Sequence, residues 1–237
     1  GLTESLAGRF ELIRITHWSY AEMRDAFGYT LDQYIYYGGY PGPAAMIGNE
    51  KRWKKYIKDS LVAPAIEKDV IMTSNIYKPA LMKRTFELGC GYSGELLSLT
   101  KMIGQLQDAG NVTTIAGYID ILSQCALLCG LQKYANDDSR KYNSIPKFQV
   151  FNNALLTTYK GRSFLQDRQD TEAWGRWVER AVGSYLVCQA EELEYKVYYW
   201  RERSDEVDFI VVSDDVTLAI EVKSGRRKIN NGLPKFT

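Results

Sequence analysis

The chain lacks the signatures of several protein classes. Its 237 residues hold a single histidine, His17, which excludes a histidine-rich metal centre. Four cysteines, Cys90, Cys125, Cys129 and Cys188, form no C-x-x-C pair, so no zinc knuckle or thioredoxin-like redox motif is encoded. No apolar run is long enough to span a bilayer and no signal peptide opens the chain, which predicts a cytoplasmic protein with no membrane partner. Gly-x4-Gly-Lys-Ser/Thr occurs nowhere, so the loop that cradles ATP phosphates is missing and the chain cannot hydrolyse ATP unaided. Neither sign of charge is in excess: 30 Lys and Arg against 29 Asp and Glu leave a net +1. Nucleic acid would therefore have to be drawn by a local patch rather than by a global field. What remains is ordinary for a globular protein, with 45% hydrophobic and 25% charged residues, and an abundance of tyrosine at 17. Cys125 and Cys129 fall at i, i+4 in an apolar helical pattern, which predicts reduced core thiols.

The informative stretch is Ser204–Gly225. It reads as two strands, Val207–Val212 and Thr217–Lys223, joined through Ser213–Val216. Side chains alternate faces along a strand. Val207, Phe209 and Val211 therefore share one face, and Asp208, Ile210 and Val212 the other. A turn symmetric about Asp214-Asp215 sets Asp208 directly across from Glu221, with Lys223 on the same face as Glu221. Like charges opposed across a sheet destabilise it, so the pair needs a compensating cation. A divalent metal held by hard oxygen ligands supplies one, and Lys223 supplies another. Upstream, Thr171–Glu192 reads as a helix whose stripe Trp174, Trp177, Val178, Ala181, Tyr185 and Cys188 faces a core. Glu179 borders the stripe, with Gly175 and Gly183 one turn to either side leaving room for its carboxylate to lean toward the sheet. Glu194–Arg203 alternates as a first strand before the hairpin. The blander reading makes Glu221 and Lys223 a solvated sheet edge.

The Asp208-x12-Glu221-x-Lys223 arrangement resembles the core of the PD-(D/E)XK restriction-endonuclease-like superfamily. That resemblance implies a site in which Glu179, Asp208, Glu221 and the Val222 carbonyl hold Mg²⁺. It implies that Lys223 orients or activates a water, while Arg226, Arg227 or Lys228 holds the scissile strand.

The segments Leu2-Thr-Glu-Ser-Leu-Ala-Gly-Arg-Phe-Glu-Leu-Ile, His17-Trp-Ser-Tyr-Ala-Glu-Met and Tyr37-Gly-Gly-Tyr-Pro-Gly carry a second resemblance. It is to prokaryotic predicted AAA+ superfamily ATPases that bear the C-terminal domain of unknown function 4143. It implies that ATP is bound only by an intact protein whose N-terminal half is not in this chain. Arg9 would then fall near a finger or sensor position, although the residues favour the blander reading of a surface arginine capping a turn. Phe10–Ile15 alternates as an edge strand, and Ser19-x-x-Glu22 and Thr30-x-x-Gln33 are capping boxes for helices Tyr20–Phe27 and Leu31–Tyr37. Lys51–Lys58 places five basic residues on an amphipathic helix, a pattern that more often marks a solvated face than a phosphate stripe.

Three helices follow, at Lys78–Gly89, Ser93–Gln107 and Thr113–Cys129, then strand-like pieces at Ala126–Tyr134 and Lys147–Phe151. This is the order of a winged helix-turn-helix. Its third helix carries no lysine or arginine from Asn111 to Gly130, so base reading there is disfavoured. Arg140, Lys141 and Lys147 on the wing offer backbone-phosphate contacts to DNA. The expected fold class is α+β: a mostly helical part with AAA+ lid-like helices and a winged helix, then a partial restriction-endonuclease-like α/β domain. Expected boundaries are 1–74, 75–152 and 153–237. The last is expected to be cut short, because a nuclease-like fold needs a further helix and strand after the hairpin. Two functions compete: a Mg²⁺-dependent nuclease coupled to ATP hydrolysis, and a non-catalytic module of an ATP-dependent switch that binds a protein partner or its own copies.

Overall fold

The computed structural model describes residues 15–66, 76, 78–107, 110–135, 144–225 and 233–236. The expected strand at Phe10–Ile15 falls, but for its last residue, outside these; so do Arg9, Arg140, Lys141, Arg226, Arg227 and Lys228. The architecture is α+β. In chain order the helices are α1 (Tyr20–Phe27), α2 (Leu31–Tyr37), α3 (Glu50–Tyr56), α4 (Pro79–Gly91), α5 (Leu99–Gln105) and α6 (Val112–Gln124). An antiparallel pair follows, β1 (Leu128–Leu131) and β2 (Lys147–Val150). Then come α7 (Asn153–Tyr159), α8 (Phe164–Gln169), the long α9 (Thr171–Gln189), and an antiparallel sheet of β3 (Lys196–Glu202), β4 (Asp205–Val212) and β5 (Thr217–Ile220).

Local chemistry sets the helix starts. Ser19 and Glu22, and Thr30 and Gln33, close the two reciprocal capping boxes. Asn111 accepts from the Thr114 amide to open α6, and Asp170 accepts from Glu172 and Ala173 to open α9. Helix α3 continues as a π-helical stretch over Ile57–Val62, which carries Ile57 and Val62 into the core. Two of its basic residues are engaged. Lys54 donates to the carbonyls of Lys160 and Arg162, and Lys55 pairs with Asp59.

One continuous apolar core runs from Met23 through Trp53, Phe86, Leu122, Phe148 and Leu155 to Trp177. It crosses both expected boundaries, 74/75 and 152/153. The turn Gly38-Gly39 exists because the chain passes another segment at contact distance. Gly38 has φ +71°, and a Cβ there would lie 1.9 Å from Asn152 Oδ1. A second, smaller core gathers Leu131, Val187, Tyr199 and Phe209 between α9 and the C-terminal sheet.

Three expectations change. The helix expected over Ser93–Gln107 begins only at Leu99, because Gly94 and Leu97 bond to the carbonyls of Phe148 and Pro146 and Leu96 bridges Lys147. Helix α6 stops at Gln124 and Ala126 turns left-handed (φ 52°), which leaves Cys125 exposed and Cys129 on β1 rather than on one helix face. Helix α9 is buried on two sides. Trp174, Trp177, Val178 and Ala181 face the first core, and Val182, Leu186 and Val187 face the second, so Tyr185 is half exposed.

Candidate functional site

Strands β4 and β5 fix the geometry. Their register pairs Phe209 with Ile220 and Ile210 with Ala219. Continued by one residue, it sets Asp208 across from Glu221, as the symmetric turn predicts. The second strand is shorter than expected, however, ending at Ile220 rather than Lys223. The reason is local: Asp208 Oδ2 accepts the Val222 amide at 2.7 Å, so a side-chain carboxylate closes the hairpin at its open end. Ile220 and Val222 pack with Phe209 in the second core.

This placement buries charge. Asp208 is 7% exposed, and its carboxyl is pushed up to about 6. Burial is the main cause and the neighbouring Glu179 charge the second, with Glu221 adding to it; the Val222 amide and Lys147 pull the other way. The Glu221 side chain is 5% exposed. Its Oε1 accepts from the Lys223 ammonium, while its Oε2 is buried with no hydrogen-bond partner among the described residues. Lys223 keeps about a third of its side chain in solvent.

Glu179 reaches the site from α9, but its partner is one that the spacing did not reveal. Lys147 Nζ lies 2.7 Å from Glu179 Oε1 and 3.3 Å from the Asp208 carbonyl oxygen, and 4.9 Å from the centre of the Phe209 ring. This corrects the wing reading of Lys147. With the residue 5% exposed, its ammonium is not presented to a phosphate backbone. Lys147 opens β2, and the alternation that buries Gln149 also turns Lys147 inward. No local pattern announces this, because the partner is 32 residues away.

The glycine reading also changes. A Cβ on Gly183 would lie 2.4 Å from Gln149 Oε1 and 2.7 Å from Phe209 Cζ, so this glycine lets the wing and the sheet approach α9 rather than making room for Glu179. Gly175 faces Ser224, whose Oγ lies 3.4 Å from where its Cβ would be. The hairpin end therefore passes over the first turns of α9, on the approach to Glu179.

Elsewhere, the exposed residues of α6 are Val112, Thr113, Asp120 and Gln124, with Ile115, Tyr118, Ile119 and Leu122 buried. Nothing cationic is offered to a groove there. Among the described residues no helix is long and apolar enough to cross a membrane.

Residues 28–166 match the family described as a domain of unknown function, DUF8612, which is more than half of the chain. The chain belongs to the DUF8612 family. A second family, the domain of unknown function DUF4143, matches residues 174–237 of this DUF8612 protein. No curated protein and no solved structure shows significant similarity to it. The two matched segments meet at the site: Lys147 lies in the first, and Glu179, Asp208, Glu221 and Lys223 lie in the second.

The fit to a divalent cation can be judged from these contacts. Among the described residues, no three His, Cys, Asp or Glu side chains are gathered around one point as a complete cage. Two of the three carboxylates nevertheless suit a hard cation. The Asp208 and Glu221 side chains are both buried, the register continued by one residue sets them opposite, and among the described residues Glu221 Oε2 has no donor. Glu179 is the one drawn aside.

Proposed function

We propose that the DUF4143-matching part is a divalent-cation-dependent phosphodiester site of the PD-(D/E)XK type that acts on nucleic acid. On this reading its work is coupled to ATP hydrolysis by an AAA+ core outside this chain. The observation that supports it best is the buried Asp208–Glu221 opposition with the orphaned Glu221 Oε2. A buried acceptor without a donor costs about 1–3 kcal/mol, and more for a charged group, and a cation held by Glu221 and Asp208 would offset that cost.

The residues that would hold Mg²⁺ are Asp208, Glu221 and the Val222 carbonyl, with Glu179 completing the set when released from Lys147. Bound there, the ion would supply a water of lowered pKa and charge to stabilise a pentavalent phosphate. The chain's own residues set the stage. The Val222 amide holds Asp208 Oδ2 in place, and Lys223, braced on Glu221 Oε1, keeps its stem partly in solvent where a water or phosphate would approach. The reading extends to Arg226, Arg227 and Lys228 as contacts to the strand.

Incubating the protein with Mn²⁺ or Mg²⁺ and plasmid, linear and single-stranded DNA tests this. Cleavage is expected that Asp208→Ala abolishes; no metal-dependent cleavage of any substrate by the intact protein would reject it. A second reading has its own support in the Lys147–Glu179 pair and the exposed face of α6, which carries Asp120 and no lysine or arginine. There the site is a non-catalytic module that docks a protein partner within an ATP-dependent switch. It predicts no measurable divalent binding and a protein, not DNA, recovered in pull-downs.

A further inference from the structure

Lys147 is the buried cation that neither family match accounts for. A buried ammonium is costly unless it is paired and hydrogen-bonded. Here two of its three donors go to Glu179 Oε1 and the Asp208 carbonyl, and it lies against the Phe209 ring. Its backbone is held by its neighbours in the strand pair. Gln149, two residues on, donates to the Arg180 carbonyl and to Ser184 Oγ on α9. Beyond β1, the Tyr134 amide donates to the Tyr199 carbonyl of β3 at 2.7 Å. Strand β2 is thus clamped against α9, while its hairpin partner is tied to the C-terminal sheet. Only the side chain is free to change place.

Among the described residues, Glu179, Asp208 and Glu221 face Lys147 and Lys223, the buried Arg180 feels the charge of Glu179, and Glu221 Oε2 has no hydrogen-bond partner. A divalent ion seated between Asp208 and Glu221 would face a like charge in Lys147 and would lack Glu179, which Lys147 holds.

We propose that Lys147 is a resident counter-cation that competes with a divalent ion for Glu179, so that the DUF8612 segment gates metal loading of the acidic site in the DUF4143 segment. This rests on the metal reading of that site. Loading metal requires the Lys147 stem to swing out of its place between Glu179 and the Asp208 carbonyl. Removing the ammonium removes both the competition for Glu179 and a like charge beside the ion.

The test is Mn²⁺ affinity, measured by calorimetry on the full chain. Lys147→Gln is expected to bind about tenfold tighter than the wild type, and Lys147→Arg, which keeps the charge, to bind like the wild type. Equal or weaker affinity in Lys147→Gln, with the wild type binding, overturns the gate and leaves the metal site standing. No binding to either protein removes the metal reading and the gate with it. Should Lys147→Gln fail to fold, the wild type answers alone through amine labelling read by mass spectrometry. Lys147 is expected to be protected without metal and to label several-fold more at saturating Mn²⁺, with exposed Lys55 unchanged as the control. Protection that persists with Mn²⁺ bound overturns the proposal.

Discussion

Two buried polar clusters lie on either side of α9, and they are built on opposite plans. On the N-terminal side, Asn152 Oδ1 accepts from Gly39 and Ala154, and Asn153 donates to the carbonyls of Ile35 and Trp177 and accepts from Ser184. Thr157 donates to the Tyr36 and Asn153 carbonyls. The cluster's members are neutral and mutually hydrogen-bonded, although Gln149, which donates to Ser184, keeps a buried Oε1 with no partner among the described residues, and the knot ties α2, α7 and α9 together. On the other side, the Lys147, Glu179, Asp208, Glu221 and Lys223 cluster is ionic and leaves Glu221 Oε2 without a donor. A satisfied neutral network specifies a fold, whereas a half-satisfied charged one weakens it. The contrast teaches which cluster the fold depends on and which it tolerates.

Breaking the neutral knot has the largest expected effect. Asn153→Ala removes the side-chain bonds to the Ile35 and Trp177 carbonyls and the one accepted from Ser184, in a buried site. A loss of about 3 kcal/mol in urea unfolding is expected, from the lost bonds and the space left behind. A loss below about 1 kcal/mol would mean that the knot is no more important than an exposed pair.

The same kind of truncation on the charged side carries the opposite sign. The Asp208 carboxyl titrates at about 6 in the fold against an ordinary 3.8. The folded state therefore holds its proton more tightly than the unfolded state. Stability from this group is present in full below about pH 4 and is lost as pH rises through 6. Asp208→Asn keeps an acceptor for the Val222 amide and removes the ionised form. At pH 7.5 it is expected to gain on the order of 2 kcal/mol over the wild type, and at pH 4 the two should converge. A variant less stable than the wild type at pH 7.5 would show that Asp208 holds the fold together, and the contrast would collapse.

Legibility in the sequence divides along the same line. The two capping boxes and the β4–β5 register, which runs as expected as far as Phe209–Ile220, are short-range consequences of helix-end chemistry and of alternation about a tight turn. Lys147 was misplaced because its environment is made by residues 32 and 61 positions away, and no periodicity reports such a meeting. The strand end at Ile220 was missed for a related reason. A side chain, Asp208, competes with the backbone for the Val222 amide, and pattern reading counts only backbone rungs. Gly183 misled because a glycine beside a carboxylate and one beside a packed Gln149 look alike in sequence.

The smallest expected effect tests whether burial, rather than charge itself, separates the clusters. Arg176 and Glu172 form an i, i+4 pair at 2.6 Å on α9, Arg176 lying less than one turn before Glu179, with the Glu172 side chain largely and the Arg176 side chain about half in solvent. Water screens such a pair, and holding two long side chains in one geometry offsets most of the attraction. Arg176→Ala is expected to cost no more than about 0.5 kcal/mol, with no change in slope between pH 4 and 7.5. The distance is as short as that of the Lys147–Glu179 pair, so contact geometry is matched while exposure is not. If Arg176→Ala instead shifts stability as much as Asp208→Asn, the ionic cluster owes its behaviour to the charge of α9 as a whole. The two sides of the helix would then differ in charge alone, and the orphaned Glu221 oxygen would lose its standing as the mark of a cation site.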